Sequence, residues 1–207
     1  MRTRIKFCGI TRREDALAAA ACGADAIGLI FAPRSVRHLD IARAREIAAG
    51  LPPLLVRVAL LMDHARESVA EILAQVPCEL LQFHGSEDDA FCAQFGRPFL
   101  KALPMASVAD VAAEMARYPR ASGFVLDAHA RGAAGGSGES FDWTRVPRDV
   151  ERPIVLAGGL HPGNVGEAIA RARPYAVDVA SGIEASPGTK DHAKMRAFAE
   201  EVRRADA

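Results

Sequence analysis

Apolar residues along this chain gather in short unbroken runs rather than in alternating series. Such runs occur at Arg4–Cys8, Ala26–Phe31, Leu54–Leu61, Leu80–Phe83, Phe99–Ala102, Gly123–Leu126, Ile154–Ala157 and Ala176–Val179. A strand with one wet face alternates, so continuous runs predict strands buried on both faces, as in a parallel sheet. The segments between them change period. Glu14–Ala21, Ile41–Ala49, Arg66–Leu73, Asp88–Phe95, Val108–Ala116, Val165–Arg171 and His192–Arg203 repeat apolar residues about every three to four positions, the spacing of a helix packed on one side. Gly23, Gly50 with Pro52 and Pro53, Pro77, Gly96 with Pro98, Pro119 and Pro174 punctuate the boundaries. The Gly/Ser-rich stretch Gly132–Asp142 has no period and predicts a mobile loop.

Strands alternating with helices in this way predict an α/β fold. The 207 residues give each of eight units about 26, enough for a strand, a short helix and two tight loops. The expected architecture is a single-domain (β/α)8 barrel over residues 1–207, near the short end of the range for that fold. A doubly wound open sheet is the alternative. It would carry a glycine-rich turn after the first strand, and no G-x-G-x-x-G follows Cys8-Gly9, which disfavours dinucleotide binding. No exact repeat and no linker divides the chain.

Composition narrows the function classes. The chain is 50% apolar and 25% charged, as in soluble globular proteins that bury a core without disulfides or structural metals. Its 26 basic and 26 acidic residues cancel, so it lacks the basic footprint of a nucleic-acid binder, although a patch large enough for one phosphate is compatible with that balance. No apolar run reaches the roughly 18 residues of a membrane span. Asp25 interrupts the longest candidate, and Arg2, Arg4, Lys6, Arg12 and Arg13 break up any secretory leader. A cytoplasmic protein with no membrane partner is expected. Cys8, Cys22, Cys78 and Cys92 form no C-x-x-C pair, and no His/Asp/Glu cluster has ligand spacing, so free thiols and no metal are expected.

In a barrel the chemistry gathers at the C-terminal ends of the strands. The polar or reactive residues there are Cys8, Arg34, Arg37, Asp63, His84, Lys101, Asp127, Gly158-Gly159, Asp178 and Ser181-Gly182. Cys8 is either a buried structural thiol or a nucleophile or base. Lys6, two residues earlier, shares its side-chain parity and brings a positive charge near it. Asp127, at the mouth of an apolar barrel, is a candidate acid. The glycines after strands seven and eight let backbone N–H groups approach an anion, the usual phosphate position in such barrels. An arginine past strand two, Arg34 or Arg37, suits a carboxylate held bidentately. His84 is placed to donate to a ligand or to pin a loop.

Several segments occur together and in order: Lys6-Phe7-Cys8-Gly9-Ile10-Thr11, Gly23-Ala24-Asp25-Ala26-Ile27-Gly28, Gln82-Phe83-His84-Gly85, Leu126-Asp127, Gly135-Gly136-Ser137-Gly138 with Phe141-Asp142-Trp143, Ala157-Gly158-Gly159-Leu160, and Val177 to Glu184 with Pro187-Gly188 and Lys190-Asp191. From Lys6 to about Asp191 the chain resembles the phosphoribosylanthranilate isomerase family of tryptophan biosynthesis. Small departures stand at Phe83 and Ala180, where leucine and serine would be usual. The resemblance implies a (β/α)8 barrel that catalyses an Amadori rearrangement of a phosphoribosyl aminoaldose without a cofactor. It implies Cys8 as base, Asp127 as acid and Arg37 as the contact for the anthranilate carboxylate. The glycine loops, Gly158, Gly159, Ser181 and Gly182, would then hold phosphate, and Asp178 would orient that loop or the substrate amine. The Gly132–Gly138 segment would close over the sugar. A different phosphosugar isomerase or epimerase, or a non-catalytic phosphosugar-binding barrel, is the competing expectation. A monomer or a homodimer is expected.

Overall fold

The computed structural model describes residues 2–128 and 141–207. Its strands are β1 (Arg4–Cys8), β2 (Ala26–Ile30), β3 (Val56–Leu61), β4 (Leu80–Phe83), β5 (Phe99–Pro104), β6 (Gly123–Asp127), β7 (Ile154–Leu156) and β8 (Ala176–Val179). Each pairs in parallel with the next, and β8 returns to β1, so the expected closed barrel forms. Helices α1 (Arg13–Ala21), α2 (Ile41–Ala48), α3 (Arg66–Gln75), α4 (Asp89–Ala93), α5 (Val111–Ala116), α6 (Val165–Ala172) and α7 (His192–Ala205) fill the connections. Between β6 and β7 the described residues hold a 3-10 turn at Trp143–Arg145. Beyond β8 a 3-10 turn at Ser181–Ile183 leads into a small antiparallel hairpin, β9 (Glu184–Ser186) and β10 (Thr189–Lys190). The Gly132–Gly138 segment, expected to move over a ligand, lies outside the described residues. Among the described residues no helix is long and apolar enough to cross a membrane.

Two boundary shifts have simple causes. The helical spacing from Asp88 and from Val108 starts too early, because Asp88 and Asp110 are caps: their carboxylates accept from the backbone N–H of Phe91 (2.7 Å) and Ala113 (3.0 Å). Leu54, read as strand, is 91% exposed in the loop before β3.

Strand parity separates two interiors. Phe7, Ile27, Leu29, Leu61, Leu81, Phe83, Phe99, Leu103, Phe124 and Leu126 point outward into the layer beneath the helices. Residues of the other parity point inward. Leu100, Ala102, Val125, Val155, Ala157 and Ala176 fill the lower barrel, and Cys8, Ile30, Ala32 and Leu60 form a smaller cluster near its top. Lys6, Cys8, Gln82, Asp127 and Asp178 share this inward parity, so the sheet itself delivers them to one mouth.

Candidate active site

A cavity of about 870 Å³, measured out to its open mouth, occupies the C-terminal end of the barrel. Cys8, Arg37, His84, Asp127, Gly158, Gly159, Asp178 and Ser181 all line it, so the strand-end expectation gathers residues from β1, β4, β6, β7 and β8 around one space. Arg34, Gln82 and an apolar wall of Ile30, Leu60 and Met62 complete the lining that bears on the chemistry.

The floor is ionic. Lys6 and Asp178 face each other across the β1–β8 seam, and Lys6 Nζ donates to Asp178 Oδ2 at 2.7 Å. Both side chains are buried, at 5% and 6% exposure. Burial works against the Lys6 ammonium, but Asp178 and the Cys8 sulfur together outweigh it and hold its pKa above the ordinary lysine value. Burial pushes the Asp178 carboxyl up; Lys6 opposes this and the Asp127 charge adds to it. Asp178 Oδ1 is buried with no hydrogen-bond partner among the described residues, and Asp178 lines the cavity.

Cys8 ends β1 directly opposite Gly28 on β2. Burial pushes its thiol above the ordinary value; Lys6 pulls it down without compensating fully. The neighbouring lysine anticipated from parity is therefore present, and it works against the effect of burial on this thiol. The remaining cysteines are structural: Cys78 and Cys92 are buried, and desolvation pushes each to about 12. All four are free.

Late in the barrel the two glycine loops meet. Gly158 and Gly159 adopt left-handed φ values of 87° and 65°. A Cβ on Gly158 would stand 2.4 Å from that of Ala128. A Cβ on Gly182 would stand 1.9 Å from the Leu160 carbonyl oxygen, so the β8 loop packs directly on the β7 loop. Gly182 sits behind the lining rather than in it. Asn164 fixes the first loop: its Nδ2 donates to Gly159 O at 2.9 Å, and its Oδ1 accepts from His161 N at 2.8 Å. Shape-restricted backbone at this position suits an anion.

Arg37 reaches the mouth from the β2 loop with its head already engaged. Nε and Nη2 donate to Glu184 Oε1 and Oε2, both at 2.7 Å. Glu184 belongs to β9, 147 residues away, and its part in the site had no local signal in the sequence. His84 stands against the amide of Gln82 beneath it.

Two strand-end candidates do not reach the cavity. Lys101 alternates with inward-facing Leu100 and Ala102, so it points outward, where Nζ donates to Gly85 O (2.6 Å) and meets Glu87 Oε2 (3.0 Å). Asp63, just past β3, has φ 53° and accepts at Oδ1 from both Ser86 N and Ser86 Oγ at 2.7 Å. Both residues tie loops together, and their proximity to strand ends without inward parity explains the misplacement. Among the described residues no group of His, Cys, Asp and Glu could hold a metal ion.

Comparison with known proteins agrees with this geometry. Residues 5–201 match the family model described as N-(5'phosphoribosyl)anthranilate (PRA) isomerase. A relative named N-(5'-phosphoribosyl)anthranilate isomerase, from Pseudomonas fluorescens Pf-5, is 53% identical over 203 residues, covering 98% of this chain and 97% of its own. The crystal structure of phosphoribosyl anthranilate isomerase from Thermus thermophilus superimposes with a TM-score of 0.88 at 37% identity, over 98% of this chain and 99% of that one. Another isomerase structure, in complex with reduced 1-(o-carboxyphenylamino)-1-deoxyribulose 5-phosphate, gives 0.84 at 35% identity, over 98% and 99% of the two chains. A family model matched over nearly the whole length, with a relative above half identity across it, shows that the chain belongs to the N-(5'-phosphoribosyl)anthranilate isomerase family.

Proposed function

We infer that this chain is a phosphoribosylanthranilate isomerase whose general base is Cys8 and whose general acid is Asp127. One observation carries the reading: a thiol on β1 and a carboxyl on β6 line a single cavity that also contains the glycine loops. The substrate is a small phosphosugar, N-(5-phosphoribosyl)anthranilate, and no cofactor takes part. The four free, buried cysteines support a reducing compartment, and the proposed location is the cytoplasm.

Phosphate is held by the backbone of Gly158, Gly159 and Ser181, with Gly182 packed behind them. Arg37 meets the anthranilate carboxylate at the other end of the cavity. Asp127 gives its proton to the furanose ring oxygen; the C1′–O bond breaks and the nitrogen lone pair forms an iminium. That cation acidifies C2′–H. The Cys8 thiolate takes this proton, the C–H electrons close the C1′–C2′ double bond, and the iminium electrons return to nitrogen. The enolamine then moves its hydroxyl proton to C1′, leaving the ketone. Asp178 Oδ1, the buried acceptor without a partner, suits the substrate N–H. His84 is positioned to donate to a sugar hydroxyl.

Each proton-transfer group is worth about 10²–10⁴ in rate. Cys8→Ser and Asp127→Asn should each lose at least about 10² in kcat while still binding the product analogue. Loss of anthranilate-type fluorescence on turnover measures kcat. Near-normal kcat in either variant removes that residue from its role.

A further inference from the structure

We propose that Glu184, with Lys190, is a positioning residue that sets specificity for a substrate bearing an aromatic carboxylate, by holding the Arg37 guanidinium in place before that carboxylate arrives. The inference rests on Arg37 as the carboxylate contact and extends that reading to a residue with no assigned part in it.

The arrangement is built rather than incidental. Glu184 accepts two hydrogen bonds from Arg37, one on each carboxylate oxygen and each at 2.7 Å, with both side chains 6% exposed. The same carboxylate accepts from Lys190 Nζ at 2.9 Å, and Lys190 also donates to Ala180 O at 2.9 Å. The hairpin β9–β10 brings Glu184 and Lys190 together, pairing them across its two strands. Below the arginine lies Gly9, whose φ is 70°; a Cβ there would stand 2.3 Å from Arg37 Cδ. The stem therefore lies flat on bare backbone, and any side chain at that position would lift it. Ser35 Oγ accepts from Arg37 N at 3.1 Å and fixes the turn that carries it. Arg37 is thus gripped at its backbone, its stem and its head.

A free arginine loses side-chain freedom on gripping a ligand; one already fixed does not. Glu184 pulls the guanidinium pKa further up, and its own carboxyl is held below the ordinary range by that arginine and by Lys190, which outweigh its burial. Both cations thus favour the ionised form of the glutamate. A ligand without the carboxylate gains nothing from this device.

The test compares two substrates generated in situ from ribose 5-phosphate, one with anthranilate and one with aniline. The readout is the ratio of kcat/KM for the carboxylated over the uncarboxylated adduct, in wild type, Glu184→Gln, Arg37→Ala and the double variant. Expected is a fall in the ratio of about tenfold in Glu184→Gln, expressed through KM of the carboxylated adduct, because the arginine must now be ordered on binding. Arg37→Ala should lower the ratio at least as far, and the double variant should fall no further than Arg37→Ala. If Arg37→Ala loses the ratio and Glu184→Gln keeps it, the positioning role is wrong and the Arg37 reading stands. If Arg37→Ala keeps the ratio, the Arg37 reading itself is wrong and the proposal falls with it. Glu184→Asp, which retains the charge but shortens the reach by one methylene, gives the same readout if the glutamine variant does not fold.

Discussion

Gly28→Ala should disable the site while leaving the barrel folded. Gly28 stands directly across the β1–β2 pairing from Cys8, and its backbone is ordinary strand, so the added methyl is the whole perturbation. That methyl would lie 2.6 Å from Cys8 Sγ, 3.1 Å from Cys8 Cα and 3.2 Å from Lys6 Nζ. Non-bonded heavy atoms settle at about 3.5–4.0 Å, so the sulfur has to retreat by about 1 Å. A misplacement of about 1 Å in a reacting group costs on the order of 10² in rate. That corresponds to about 2.7 kcal/mol of transition-state stabilisation. The structural cost is smaller relative to the whole fold, about 1–3 kcal/mol for one crowded methyl. The assay is turnover by fluorescence, with thermal unfolding run alongside. The same substitution made on a Cys8→Ser background should cost little more, since the group it displaces is already gone. A folded Gly28→Ala protein with kcat within about threefold of wild type would refute the reasoning that this glycine exists to seat the thiol.

The pH profile carries a signature of the raised thiol. The active form has a protonated acid and an ionised base, one proton in all, and a carboxyl ordinarily titrates far below a thiol. The single-proton pool therefore persists across neutrality and empties only when pH passes the Cys8 value, which burial sets above 9.0. kcat/KM should stay level through pH 8 and fall only above about pH 9; a decline centred near pH 7 would contradict the burial of this thiol. Separately, Lys101→Met removes the cation paired with the Glu87 carboxylate, which is 4% exposed and keeps the hydrogen bond from Asp63 N. Breaking one side of a buried pair costs about 3–5 kcal/mol, readable as a lowered urea midpoint, and a loss under about 1 kcal/mol would mean the loop does not depend on that charge.

The barrel was legible because its strands announce themselves. β1, β4 and β8 begin and end where the apolar runs do, and the parity of Lys6 and Cys8 follows from counting alone. Strand-end position singles out Cys8 and Asp127, the proposed base and acid, and the two line one cavity. What sequence pattern does not carry is the partner of each charge. Arg37 reads as a free cation on a loop until the hairpin brings Glu184 back to it. Lys101 reads as a mouth residue until its outward parity and its contacts with Gly85 and Glu87 are seen. Likewise nothing near Cys8 in the chain reports how deeply its sulfur is buried. Arg37 and Glu184 lie 147 positions apart and Lys6 and Asp178 172 apart, and no local period encodes such pairings.

The seam where the first strand meets the last has a temporal meaning. Cys8 and Lys6 enter with the opening residues of the chain, whereas Asp178 and the β8 loop enter near its close. A nascent or half-folded barrel can hold most of its helices and still possess no working centre. Recovery of turnover after dilution from denaturant therefore marks ring closure itself, and should trail the return of helical circular dichroism.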